Sequence, residues 1–83
     1  MTNDPIPKLK RALSAEIVRA IDGQRVWIAA TTLQIDGKRV TELRAGDLRR
    51  FSTESLIRFL DRAGYDVAFT ITKRARRIEN RAR

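Results

Sequence analysis

Between Val26 and Leu43 the chain supports two incompatible folds, and the dipeptide Asp36-Gly37 sits where they part. Taken as a two-residue turn, it joins strands, since Val26, Ile28, Ala30 and Thr32 alternate and Asp-Gly accepts the positive φ angles of a tight hairpin loop. Taken as a helix entry, Asp36 is an N-cap whose carboxylate accepts from first-turn N–H groups, and Gly46 is the C-terminal stop. The helical reading puts Ala29, Ala30, Leu33, Ile35, Val40 and Leu43 inside two short helices around a turn. Local propensity does not decide between them.

The flanking segments are clearer. From Lys8, apolar residues fall at Leu9, Ala12, Leu13, Ile17, Ala20 and Ile21, a helical spacing with one buried face that Asp22-Gly23 closes. Ahead of it, residues 1–7 carry two prolines and are expected to be extended. Ser52 is a good N-cap for a further helix, with Phe51 before it placed to staple onto Leu56. Leu56, Ile57, Leu60 and Ala63 form that helix's inner face, and Gly64 stops it. Tyr65, Val67, Phe69 and Ile71 then alternate with Asp66, Ala68, Thr70 and Thr72, which predicts one half-buried strand. In an otherwise helical chain such a strand leaves its backbone groups unpaired. The same strand of a second copy would satisfy them about a two-fold axis, making Val67, Phe69 and Ile71 a dimer contact; another protein's sheet edge is the alternative. Phe51, Phe59 and Phe69 are assigned to the core. The single tryptophan, Trp27, is expected to fold back against the first helix; the competing role is an exposed contact to a partner protein or to a deoxyribose wall.

Composition narrows the function. The 83 residues predict one domain over 1–72 and a basic, disordered tail over 73–83, the latter a sequence-independent DNA arm, a segment that orders on a partner, or a solvated end. With no cysteine and no histidine, disulfides, thiol chemistry and the usual zinc ligands are excluded. Ser14, Ser52 and Ser55 lack an evident activating partner, the carboxylates show no metal-site spacing, and four glycines are too few for a phosphate cradle, so the chain reads as a non-enzyme without cofactor or metal. No apolar run reaches a membrane span and no signal-peptide pattern opens the chain, which makes a cytoplasmic location the expectation. The net charge of +8 is unevenly distributed: residues 38–50 contribute +3, residues 73–83 contribute +5, and the remainder cancels. Two concentrated basic regions suit a polyanionic partner.

On the helical reading, residues 38–45 spaced at about 100° per residue hide Val40 and Leu43 and turn out Lys38, Thr41, Glu42 and Ala45, with Arg39 and Arg44 on the flanks. That pattern suits a helix lying in a DNA major groove. Lys38 would donate to guanine O6 or N7, Thr41 would bond a base or touch a thymine methyl, and Glu42 would accept from cytosine or orient Arg39 or Lys38. Arg39, Arg44, Arg49 and Arg50 would reach phosphates.

Residues 28–71 resemble the compact helix-turn-helix proteins of the XRE (Cro/repressor-like) class, which includes HigA-type antitoxins. The resemblance rests on Ala29-Ala30, on the run from Arg39 to Gly46, on Arg50-Phe51-Ser52 leading into Leu56–Leu60, and on Gly64-Tyr65-Asp66-Val67. It implies a mainly α, four-helix, lambda-repressor-like domain with a C-terminal β-strand paired in a homodimer. It further implies an autoregulating, nucleoid-associated repressor that binds a double-stranded operator and pairs with a RelE/ParE-like toxin, and it favours the two-helix reading of residues 25–45. The chain departs from the family at three positions: Val26 and Gly37 stand where glutamines are usual, and Gln34 stands at the turn glycine. These substitutions weaken base-specific reading and leave phosphate binding to the arginines. The other functions the residues allow are a toxin-neutralising module with vestigial DNA binding and, on the hairpin reading, a small basic RNA-binding protein.

Overall fold

A computed structural model describes residues 4–73, in which the regular structure consists of four α-helices: α1 (Pro5–Ala20), α2 (Val26–Leu33), α3 (Gly37–Ala45) and α4 (Thr53–Arg62). Asp36-Gly37 is a helix entry. Asp36 has extended backbone angles and its carboxylate accepts from the Arg39 N–H at 3.1 Å, as an N-cap does. Gly37 begins α3, and a Cβ on it would stand 3.0 Å from Val26 Cγ1. The glycine therefore permits a close approach of α3 to the start of α2, and the hairpin does not form.

Helix ends repeat one solution. In α2, α3 and α4 a residue in the left-handed region follows the last turn: Gln34 (φ 60°), Gly46 (φ 77°) and Gly64 (φ 94°). Each end closes with a pair of bonds, from Gln34 N to Thr31 O and Ile35 N to Ala30 O in α2, from Gly46 N to Leu43 O and Asp47 N to Glu42 O in α3, and from Gly64 N to Asp61 O and Tyr65 N to Leu60 O in α4. These are Schellman motifs, which satisfy carbonyls the helix cannot. Ser52 caps α4 by accepting from Ser55 N at 3.0 Å, with Phe51 and Leu56 buried on either side of the cap.

The start of α1 departs from expectation. Residues 5–7 are helical rather than extended, because the first-turn N–H groups have no intrahelical partner and prolines there give up nothing. Asp4 supplies the cap through a 3.0 Å bond from Ile6 N.

Leu13, Ile17 and Ile21 from the α1 side, Ala29 and Leu33 of α2, Val40 and Leu43 of α3, and Phe51, Leu56, Phe59 and Leu60 from the α4 side form one core. Phe51 and Phe59 meet edge to face at 6.0 Å. α1 packs mainly along α4, and α2 along α3. Ala12, assigned to the inner face of the first helix, is exposed.

After α4 the expected strand is not formed: residues 65–73 carry no regular structure. Beyond the Tyr65 N–H, no backbone bond joins residues 66–73 to another described residue. The physical reason is the one the pattern implied, that a single strand finds no second strand among these helices. Val67 packs partly on the core, whereas Phe69, expected inside, is 57% exposed and Ile71 is 94% exposed. Trp27 is likewise outside, at 67% exposure, and does not fold onto α1. It sits in the first turn of α2, whose buried residues are Ala29 and Leu33. The basic tail beyond Lys73 lies outside the described residues.

Candidate nucleic-acid interface

α3 is held by its buried side. Val40 and Leu43 are in the core, so the helix presents Lys38, Thr41 and Ala45 to solvent, with Arg39 and Glu42 half-buried. The Thr41 hydroxyl donates to Gly37 O at 3.1 Å, which keeps its oxygen lone pairs available outward. Because Gly37 abuts Val26, the first turns of α2 and α3 are neighbours, and the exposed apolar residues Val26, Trp27 and Ile28 lie beside the turn that carries Lys38.

The basic residues assigned to this surface divide by what they already touch. Arg44 donates one guanidinium nitrogen to Ile21 O at 3.0 Å and Gln24 O at 2.7 Å, tying α3 to the chain at the end of α1. The guanidinium carbon of Arg39 lies 4.8 Å from the centroid of the Phe51 ring, a cation–π arrangement. Arg49 makes a two-point contact with Asp47, Nε to Oδ1 at 2.8 Å and Nη2 to Oδ2 at 2.9 Å. That pair, chiefly through the side-chain bond, lowers the Asp47 carboxyl to about 2 and raises Arg49, to which Glu42 adds a weaker attraction. Lys38 and Arg50 make no ion pair or side-chain hydrogen bond with another described residue and are exposed. Glu42 pairs with neither Arg39 nor Lys38, the orienting role the sequence suggested for it.

Sequence reasoning gave no role to Arg62. Its Nη1 donates to Leu33 O at 3.0 Å, at the end of α2, and its guanidinium carbon lies 5.9 Å from the Phe59 centroid. No local signal marks such a contact, since donor and acceptor are 29 residues apart. The proposed dimer residues Val67, Phe69 and Ile71 lie on the segment after α4.

No protein-family model, curated protein or solved structure matches the chain. What the surface can do therefore follows from its chemistry. Among the described residues no group of three or more acidic side chains is arranged to hold a metal ion, and no helix is long and apolar enough to cross a membrane. The α3 face offers one ammonium, one hydroxyl and small residues near it, with a free guanidinium past the helix end. That combination donates hydrogen bonds and positive charge, and it is open to a large, flat or grooved anion.

Proposed function

We propose that the chain is a homodimeric operator-binding repressor of the Cro/repressor-like helix-turn-helix type, with α2 and α3 as the two motif helices and α3 in the major groove. The observation that carries this reading is the orientation of α3: Val40 and Leu43 are inward, Lys38 and Thr41 outward, and Arg50 uncommitted beyond its end. Lys38, in the first turn, donates to guanine O6 or N7, Thr41 reaches a neighbouring base, and Arg50 binds phosphate. Val26 and Gly37 pack on each other where glutamines are usual in the resembled family, so base reading is confined to few side chains and phosphate contacts carry most of the affinity. The resemblance adds the biological setting, a nucleoid-associated antitoxin that represses its own operon.

The test is a gel shift with the duplex upstream of the gene, across a salt series. Lys38→Ala combined with Arg50→Ala lowers affinity, and loss of the Arg50 phosphate contact makes the slope of log K against log salt shallower by about 0.9, while helicity is unchanged. An unaltered shift in that variant rejects α3 as the recognition helix. A second role is favoured by the exposed run Val26-Trp27-Ile28, which supports contact with a protein partner such as a RelE/ParE-like toxin.

A further inference from the structure

We infer that the groove between the first two turns of α1 and the connection from α3 to α4 binds a small organic acid, a carboxylate carrying an apolar body. The inference does not depend on the operator reading. Three observations carry it. The groove has a volume of about 390 Å³, within the range of small-molecule sites. Its lining divides by chemistry: Ile6, Pro7 and Leu48 are apolar, whereas Lys10, Arg11 and Arg49 are cationic. Both kinds of residue are left unsatisfied by the fold. Ile6 is 47% exposed and Leu48 is only partly buried against the core, while Lys10 and Arg11 make no ion pair or side-chain hydrogen bond with another described residue.

Helix geometry brings the two chemistries together. Lys10 and Arg11 stand four positions after Ile6 and Pro7, so one turn of α1 stacks each cation beside an apolar residue. The opposite wall adds Leu48 and the guanidinium of Arg49, which is exposed although Asp47 holds it. Asp4 also lines the groove, and its carboxylate already accepts from Ile6 N as the cap of α1. Three cations against one carboxylate leave the lining positive, which selects an anion. The chain's own tail over 73–83 has the wrong sign, with six basic residues against one acidic. A carboxylate accepts from an ammonium and a guanidinium at once, and an apolar body attached to it covers Ile6 and Leu48. Inorganic phosphate meets the cations and leaves the apolar side wet; a neutral alcohol does the reverse.

Octanoate, 1-octanol and inorganic phosphate separate these contributions. In the nitrogen-15-labelled full-length protein, octanoate is expected to bind saturably, with the largest amide shifts at residues 6–11 and 46–49. The alcohol and the phosphate are expected to bind about tenfold more weakly, since each lacks one half of the recognition. Lys10→Gln with Arg11→Gln is expected to weaken octanoate about fivefold, the loss of two solvent-exposed ion pairs. Ile6→Ala is expected to weaken it about threefold through lost apolar contact. None of the three residues belongs to the core, so the helical circular dichroism spectrum is expected to stay unchanged. Absent or unsaturable octanoate binding, shifts that centre elsewhere, equal binding of the alcohol or the phosphate, or an unchanged affinity in either variant overturns the inference. A groove already filled by a second copy or by another part of the chain gives the first of these results.

Discussion

Arg44 and Arg62 stand in contrast to Lys38 and Arg50. All four are basic residues on or near the helices, yet the first two reach across the fold to backbone carbonyls at or just past another helix's C-terminal end, and the second two make no side-chain hydrogen bond or ion pair with another described residue. The ends of α1 and α2 present carbonyls with no intrahelical donor and the negative end of the helix dipole, and a guanidinium supplies both donor and charge. Arg44 serves the carbonyl of Ile21, the C-cap of α1, at 3.0 Å and that of Gln24 in the connection to α2 at 2.7 Å, and Arg62 serves Leu33 O at 3.0 Å. Basic residues of one charge class thus do two jobs: one set closes the fold, the other leaves a surface open for an anion. Counting charge along the chain merges them; the acceptors separate them.

The strongest way to break this contrast is to remove a closing arginine. Arg44→Met keeps the aliphatic stem and deletes both bonds, and it is expected to lower stability by about 1.5 kcal/mol, the lower range for hydrogen bonds from a charged donor in a partly solvated place. For a domain of this size that corresponds to a drop in Tm of roughly 6–12 °C. Lys38→Ala with Arg50→Ala should leave the unfolding free energy within about 0.5 kcal/mol of the parent, as exposed substitutions generally do. Equal melting temperatures for the two variants would erase the distinction.

Once residues 25–45 are read as helices, which the resemblance and not local propensity favours, the boundaries of α3 and α4 follow from local capping chemistry, whereas the start of α1 reads as extended in the sequence. Asp36, Ser52, Gly46 and Gly64 each act within four residues of their own position, and each does what its type and place imply. Core positions Leu13, Ile17, Leu56 and Leu60 follow from period alone, and Val40 and Leu43 follow from it once residues 38–45 are read as a helix. Three features were not legible. Arg44 and Arg62 find their acceptors 20 to 29 residues away, across helix contacts no local pattern encodes. Trp27 is apolar and so was assigned inward, but α2 is only eight residues long and Ala29 and Leu33 already fill its inner side. Phe69 was placed inside by the same reasoning that made its segment a strand, although a strand is covered only when something pairs with it. As for the candidate interface, the turning outward of Lys38 and Thr41 was readable from Val40 and Leu43; which arginines remained free was not.

Gln34 sharpens the contrast from the acceptor side. It closes the same end of α2 that Arg62 serves, in a left-handed conformation that disfavours any side chain with a Cβ. Gln34→Gly is expected to raise stability by about 1 kcal/mol, as the equivalent positions Gly46 and Gly64 already show the residue this motif prefers. Chemical denaturation measures it. If Gln34→Gly is destabilising, the glutamine side chain makes a contribution that its exposed position does not reveal, and the end of α2 depends on more than Arg62 and the Schellman bonds.

Arg49 is the intermediate case, an exposed arginine occupied by a surface carboxylate. Its side-chain bond to Asp47, helped by the Arg49 N–H and by the charges of Arg49 and Arg50, holds that carboxyl at about 2 against an ordinary value of 3.8. A carboxyl depressed in the folded state stabilises fully above its unfolded pKa, and that contribution is lost as pH falls from about 4 through about 2. Asp47→Asn should therefore flatten the acid limb of the stability profile in that window, by a small amount because the pair is exposed. The same variant has a more informative consequence at neutral pH. It removes the anion that holds Arg49 and raises the net charge beside Arg50 by one. If Arg49 lies within reach of the duplex, operator binding tightens and the salt slope steepens by about 0.9, the value of one further phosphate contact. An unchanged slope would place Arg49 with Arg44 among residues that serve the fold, and would leave Lys38 and Arg50 as the two cations of this surface that meet the anion.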